Sequence, residues 1–90
     1  MFYFVYMLYS YKDKKLYVGC TNNLEQRFKR HTDGLVIATR NRRPLELIHS
    51  EKFENKIDAF NRERFLKSLW GSREKKKIKD NFLRLKQFAS

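Results

Sequence analysis

Residues 2–9, Phe-Tyr-Phe-Val-Tyr-Met-Leu-Tyr, form an unbroken aromatic and apolar run, and it sets the terms on which this chain can fold. A strand with one wet face alternates apolar and polar residues, whereas a strand covered on both faces reads as continuous. Aromatic and β-branched side chains also favour extended backbone. The run is therefore expected as a central strand. It is too short to span a bilayer and carries neither the basic leader nor the cleavage site of a secretory signal.

The polar residues 11–15 give way to Leu16-Tyr17-Val18-Gly19, which predicts an antiparallel hairpin placing Tyr6 and Tyr17 on paired strands. Asn22 stands three residues before Glu25, the spacing of a capping box, and predicts a helix over about residues 23–32. On a helical repeat Leu24, Phe28 and His31 share one face, with Arg27 at its edge. Asp33-Gly34 ends that helix. Residues 35–43 read as a loop, and residues 44–53 alternate imperfectly through Leu45, Leu47 and Ile48 behind Pro44, as in a third strand.

Asn55 and Asp58 open a second helix, with Ile57, Ala59, Phe60, Leu66, Leu69 and Trp70 expected on one broad buried face. Gly71-Ser72 interrupts it, and Ser72 is expected to cap a third helix whose stripe of Ile78, Phe82, Leu85 and Ala89 is core. The order β-β-α-β-α-α predicts one small α/β sandwich over residues 1–90, a three-stranded antiparallel sheet with flanking helices. Ninety residues suffice for one hydrophobic core and not for two.

Charge then narrows the partner. Lys and Arg number 21 against 10 Asp and Glu, a formal charge of +11. The excess runs along the whole chain, +4 over residues 1–54 and +7 over residues 55–90. Phosphate backbones bind such surfaces through release of condensed counterions, so nucleic acid is the expected partner. A membrane surface is not, since no helix pairs a basic face with a wholly exposed apolar one. The lone Cys20 cannot form an internal disulfide, which suits a reducing cytoplasm. One Cys and two His make no structural zinc site.

Glu63 is the anomaly. Phe60, Leu66 and Trp70 are expected to turn inward around it, and a lone buried carboxylate is costly. Its partner is either a cation, Lys67 at i+4 or the adjacent Arg64, or a metal ion. Arg27 and His31, at i and i+4, read equally as a solvated helix edge.

The combination resembles a known family. Phe4-Val5-Tyr6, Tyr17-Val18-Gly19 eleven residues on, Leu24-Glu25-Gln26-Arg27 with His31, and Arg62-Glu63-Arg64-Phe65-Leu66-Lys67 look like a GIY-YIG nuclease domain over about residues 2–80. They are most similar to its small stand-alone bacterial members. The resemblance implies a metal-dependent endonuclease acting on DNA that is branched, damaged or single-stranded, with RNA not excluded. It implies that Tyr17 accepts a proton from the attacking water, helped by a hydrogen bond from Tyr6. Arg27 would favour the phenolate and contact the phosphate, His31 would meet the phosphate or leaving group, and Glu63 would be the single protein ligand of Mg²⁺ or Mn²⁺.

Thr39, Arg40, Arg42, Arg43, Lys67, Lys75, Lys76 and Lys77 are expected phosphate contacts. Phe4 stands where the first signature has Gly. The Asn found about a dozen residues after the glutamate in many family members is missing: Lys75 occupies that neighbourhood and Asn81 lies further along. From other function classes, a non-catalytic nucleic-acid-binding module, or a basic subunit of a larger nucleoprotein assembly, accounts for the same charge.

Overall fold

The computed structural model describes residues 1–89, with side chains through Phe88. Its elements are β1 (Tyr3–Ser10), β2 (Leu16–Thr21), α1 (Leu24–Thr32), β3 (Leu45–Phe53), α2 (Lys56–Lys67) and α3 (Ser72–Ala89). Short 3₁₀ turns lie at Arg40–Arg42 and Leu69–Gly71. The sheet is antiparallel in the order β2-β1-β3, so the apolar run is the central strand and the expected α/β architecture is realised.

Strand geometry divides β1 between two layers, because alternate side chains point to opposite faces. Val5 and Met7 pack with Val18, Ala59 and Leu66, and Ile78 of α3 joins them. Tyr6 and Leu8 pack on the other face with Leu45, and α1 covers them through Leu24 and Phe28. Thus α1 closes one side of the sheet while α2 and α3 close the other. The imperfect alternation of β3 has a physical cause. Opposite Met7 and Leu8 the register slips, with His49 paired to Met7 and Leu47 to Leu8, leaving Ile48 as the extra residue of a bulge.

An ionic clamp ties the second layer together. Arg62 on α2 bonds Glu51 of β3 at 2.7 and 3.0 Å and Glu74 of α3 at 3.1 and 2.5 Å. Those hydrogen bonds raise the Arg62 pKa, and they hold Glu51 below the usual carboxylate range. Nothing in the residue pattern distinguished this arginine from its neighbours, because its partners lie on elements distant in sequence.

Several expectations give way. The cap of α1 is Asn23, not Asn22: its side chain accepts from the Gln26 N–H at 3.1 Å. The Thr21 hydroxyl holds the Asn23 N–H at 3.1 Å, which moves the turn one residue on. Asn55 does cap α2, accepting from Ile57 and Asp58. The broad buried face of α2 shrinks to Ala59 and Leu66, and Leu69 and Trp70 fall beyond its end at Lys67, where the chain turns at Gly71. Ile57, Phe60, Leu69 and Trp70 are exposed, the last two at 90% and 85%. At Gly71 an added Cβ would lie 2.3 Å from the Phe65 carbonyl oxygen, so only glycine permits this turn. Ser72 is already inside α3 and donates to the Leu69 carbonyl instead of capping. Of the α3 stripe, Ile78 is half-buried in the core and Phe82 stacks against Tyr9 at 5.6 Å between ring centres. Leu85 is exposed, and the side chain of Ala89 lies outside the described part.

These packing differences set mutational costs. Leu66→Ala should destabilise the fold by about 2–5 kcal/mol. Trp70→Ala should stay within about 0.5 kcal/mol. Urea unfolding of both variants checks the pair.

Candidate active site

The α1 side of the sheet gathers four of the five expected catalytic residues. Tyr6 comes from the centre of β1, Tyr17 from the edge strand β2, and Arg27 and His31 from successive turns of α1. The ring centres of Tyr6 and Tyr17 lie 6.3 Å apart, and that of His31 is 5.7 Å from the first and 5.1 Å from the second.

Gly19 makes this closeness possible. It sits opposite Tyr6 in the strand pair, and a Cβ there would fall 2.4 Å from both Cζ and the hydroxyl of Tyr6. The phenol therefore lies flat over the glycine and reaches α1. A glycine within a buried strand was the available signal.

The hydroxyl of Tyr6 is bonded to His31 Nε2 at 2.8 Å and receives the Arg27 Nε–H at 3.4 Å. It makes no hydrogen bond with Tyr17, contrary to expectation, since α1 supplies nearer partners. Burial pushes the Tyr6 phenol up to about 12 against the lowering effect of Arg27. It stays neutral near pH 7. Tyr17 is half-exposed and Arg27 half-buried, so both are reachable from outside.

His31 differs from expectation more sharply. It is wholly buried, and its Nδ1 is bonded to the Thr39 hydroxyl at 2.7 Å. With both ring nitrogens occupied, it has no free edge for a phosphate. Burial, and then the charge of Arg27, lower its pKa to about 4.

Glu63 stands in the opposite layer on α2, its side chain 13% exposed and paired with Lys67 at 2.9 Å. The i+4 cation therefore partners it. Burial first, and then the Glu63 charge, raise the pKa of the Cys20 thiol, and the same charge contributes to the rise at Tyr6. Glu63 borders a cavity of about 290 Å³ shared with Tyr3, Cys20, Thr21, Asn22, Lys56 and Phe60. Among the described residues no three of His, Cys, Asp and Glu stand together as a metal cluster. One carboxylate beside polar oxygens fits a hard divalent ion that keeps most of its waters, and does not fit an ion caged by protein.

The expected phosphate contacts separate into available and committed groups. Thr39 is buried on His31. Arg42 is held by Asp13 at 2.6 Å, and that bond lowers the Asp13 carboxyl to about 2. Lys67 is on Glu63 and Lys76 on Asp80. Arg40 and Arg43 are exposed and, with Lys12 and Asn41, line a groove of about 510 Å³. Arg43 lies over Gly34, its Nε donating to the Arg40 carbonyl. A second groove, of about 440 Å³, joins Lys15 to Lys75, Lys76 and Lys79, and Lys77 faces a third with Arg84. Lys12, Lys15 and Lys79 join these surfaces only through the fold. Asn81 accepts from Arg84 on the exposed side of α3.

Comparison with known proteins identifies the family. Residues 2–79 match the GIY-YIG catalytic domain, and the chain belongs to that family, whose members are generally nucleases acting on nucleic acids. Within it, the similar proteins are small UPF0213 proteins. One from Clostridium perfringens is 48% identical over 67 residues, 73% of this chain and 71% of its own. Another from Natronomonas pharaonis is 39% identical over 79 residues, 87% of this chain and 92% of its own. The solution NMR structure of a UPF0213 protein from Bacillus halodurans superposes with a TM-score of 0.56 at 30% identity, covering 87% of this chain and 83% of that one. No helix among the described residues is long and apolar enough to cross a membrane.

Two outcomes follow from the cluster. Gly19→Ala should push Tyr6 off Arg27 and His31, costing about 1–3 kcal/mol as overpacking does; the Tyr6 ring resonances and the unfolding midpoint report it. His31 should also govern stability in mild acid. Its unfolded form takes up a proton near 6.5 and its folded form only near 4. Stability is therefore full above 6.5 and falls as pH drops through this window. Asp13 and Glu51 add to the loss only below their ordinary values of 3.8 and 4.5. Urea titrations between those limits should show the slope in the parent and its reduction in His31→Gln.

Proposed function

We propose that this chain is a metal-dependent endonuclease that hydrolyses phosphodiester bonds of DNA. The observation that carries this reading is the unequal burial of two tyrosines around one guanidinium. Tyr6 is sealed and neutral, whereas Tyr17 is reachable, and Arg27 stands beside both. A phosphate entering here meets the planar fork of Arg27, which can hold two of its oxygens and offset charge developing at phosphorus.

Tyr17, with the same guanidinium beside it, then accepts the proton of the attacking water. Tyr6 stands beside Tyr17 as a neutral phenol, able to donate through a bridging water. His31 is turned inward, so its role becomes holding Tyr6 in place. Glu63, with the Thr21 and Asn22 side chains near it, would hold Mg²⁺ or Mn²⁺ on the far side of β2. A bound ion would supply Lewis-acid polarisation of the phosphoryl and leaving oxygens. Arg40, Arg43 and Lys12 would grip the flanking backbone, with the Lys15, Lys75 and Lys79 surface as a second contact. Such contacts carry little base information, which suits a substrate recognised by shape, such as branched, damaged or single-stranded DNA.

A second reading also has an observation in its favour. Glu63 is already neutralised by Lys67 and lies in the layer opposite the tyrosines, as a non-catalytic binding module would tolerate. Supercoiled plasmid and branched DNA, incubated with Mg²⁺, Mn²⁺ or chelator, separate the two. Metal-dependent cleavage is expected, and Arg27→Ala should lower kcat by about 10²–10³. Glu63→Ala should abolish the metal response. Arg40→Ala and Arg43→Ala should each weaken binding and reduce the slope of log K against log salt by about 1. Salt-sensitive binding without cleavage would instead establish the module.

A further inference from the structure

Two hydrogen bonds run in line from the loop to the central strand: Thr39 Oγ1 to His31 Nδ1 at 2.7 Å, and His31 Nε2 to the Tyr6 hydroxyl at 2.8 Å. Three hydrogens are present to make them, one on each hydroxyl and one on the neutral imidazole. Each bond uses one, so one is left over, and the tautomer of His31 decides which. With Nδ1 protonated, His31 donates to Thr39, Tyr6 donates to His31, and the hydroxyl hydrogen of Thr39 is the surplus. With Nε2 protonated, Thr39 donates to His31, His31 donates to Tyr6, and the surplus is the hydrogen of Tyr6.

The two ends differ in what surrounds them. Thr39 is wholly buried, and its hydroxyl has no other hydrogen-bond partner among the described residues. A hydroxyl hydrogen stranded there would be an unmade buried donor, a more costly defect than an unused lone pair. Tyr6 instead faces the half-exposed Tyr17 and Arg27, where a phenol oxygen or a water can accept its hydrogen.

We infer that Thr39 is a positioning residue whose hydroxyl donates to Nδ1, holding His31 as the Nε2–H tautomer with its ring aimed at Tyr6. The oxygen of Tyr6 then receives an N–H from His31 and, at 3.4 Å, one from Arg27. Both its lone pairs are used, and its own hydrogen is left for the Tyr17 side. Tyr6 is thereby left to donate outward, to a water or to the proton-accepting phenol, rather than to His31. Thr39 also leads into the 3₁₀ turn Arg40–Arg42, so the loop that lines the basic groove and Tyr6 share one hydrogen-bonded line. The catalytic consequence rests on the nuclease reading; the tautomer does not.

The test reads the imidazole directly. A long-range ¹H–¹⁵N correlation spectrum of the ¹⁵N-labelled full chain at neutral pH should show His31 with a protonated Nε2 and a pyridine-type Nδ1. Thr39→Val should move the Nδ1 resonance towards that of an unbonded pyridine-type nitrogen, and Thr39→Ser should leave it in place. An Nδ1-protonated parent, or an Nδ1 resonance that Thr39→Val does not move, overturns the inference. Should Thr39→Val fail to fold, the parent spectrum and the Ser variant still decide. On branched DNA, Thr39→Val should lower kcat about tenfold at unchanged KM, the scale of one hydrogen bond, with Thr39→Ser restoring it. A parent with the Nε2–H pattern that cleaves nothing would remove the nuclease reading and leave the tautomer assignment standing.

Discussion

The burial of β1 on both faces is the constraint from which the rest of the molecule follows. A strand whose residues from Val5 to Ser10 are all sealed needs cover on either side, and its backbone needs a neighbour on each edge. The hairpin supplies one edge and β3 the other. The one helix between β2 and β3 covers one face, and the two after β3 cover the other. Within that scheme Tyr6 is the position where burial conflicts with chemistry, because its phenol cannot go inside without partners. Gly19 vacates the space and α1 brings His31 and Arg27 to the hydroxyl. The same contacts that make the phenol tolerable in the core make it a fixed polar group at the edge of a reachable surface.

The two layers do different work. The α1 layer is thin, and its polar content is concentrated in the tyrosines, the arginine and the histidine. The α2–α3 layer carries the conventional core and the Arg62 clamp, and it presents Glu63. A divalent ion held from that side would therefore act across the sheet edge at β2 and not from within the tyrosine cluster.

Much of the fold was legible in the residues, because the signals were local. The continuous run, the hairpin polarity, the Asn55 cap and the Leu24, Phe28 and His31 spacing each depend on neighbours in sequence. What was not legible depended on where a helix ends. Once α2 stops at Lys67, residues such as Leu69 and Trp70 no longer extend its face, and periodicity alone could not place that stop. The candidate site shows the same division. The tyrosines, Arg27 and Glu63 were found from their spacing within a familiar pattern. The inward turn of His31 and the burial of Thr39 were hidden because both depend on a contact made through a loop. Charge counting identified a cationic surface, yet it could not tell Arg42, paired with Asp13, from Arg40 and Arg43, which no carboxylate pairs among the described residues.

The bulge at Ile48 bears on how such a domain can change over evolutionary time. North of it, in the direction of Phe53, β3 presents one set of alternate residues to the α2 layer; beyond it the phase has shifted, so Leu47 and Leu45 serve the α1 layer that holds Tyr6. Substitutions along the strand can preserve that phase as long as Glu51 keeps its bonds to Arg62. Loss or gain of a single residue there would exchange the inward and outward sides of one half of the strand while leaving the other half in register. The length of β3 is thus locked to the floor beneath the tyrosines.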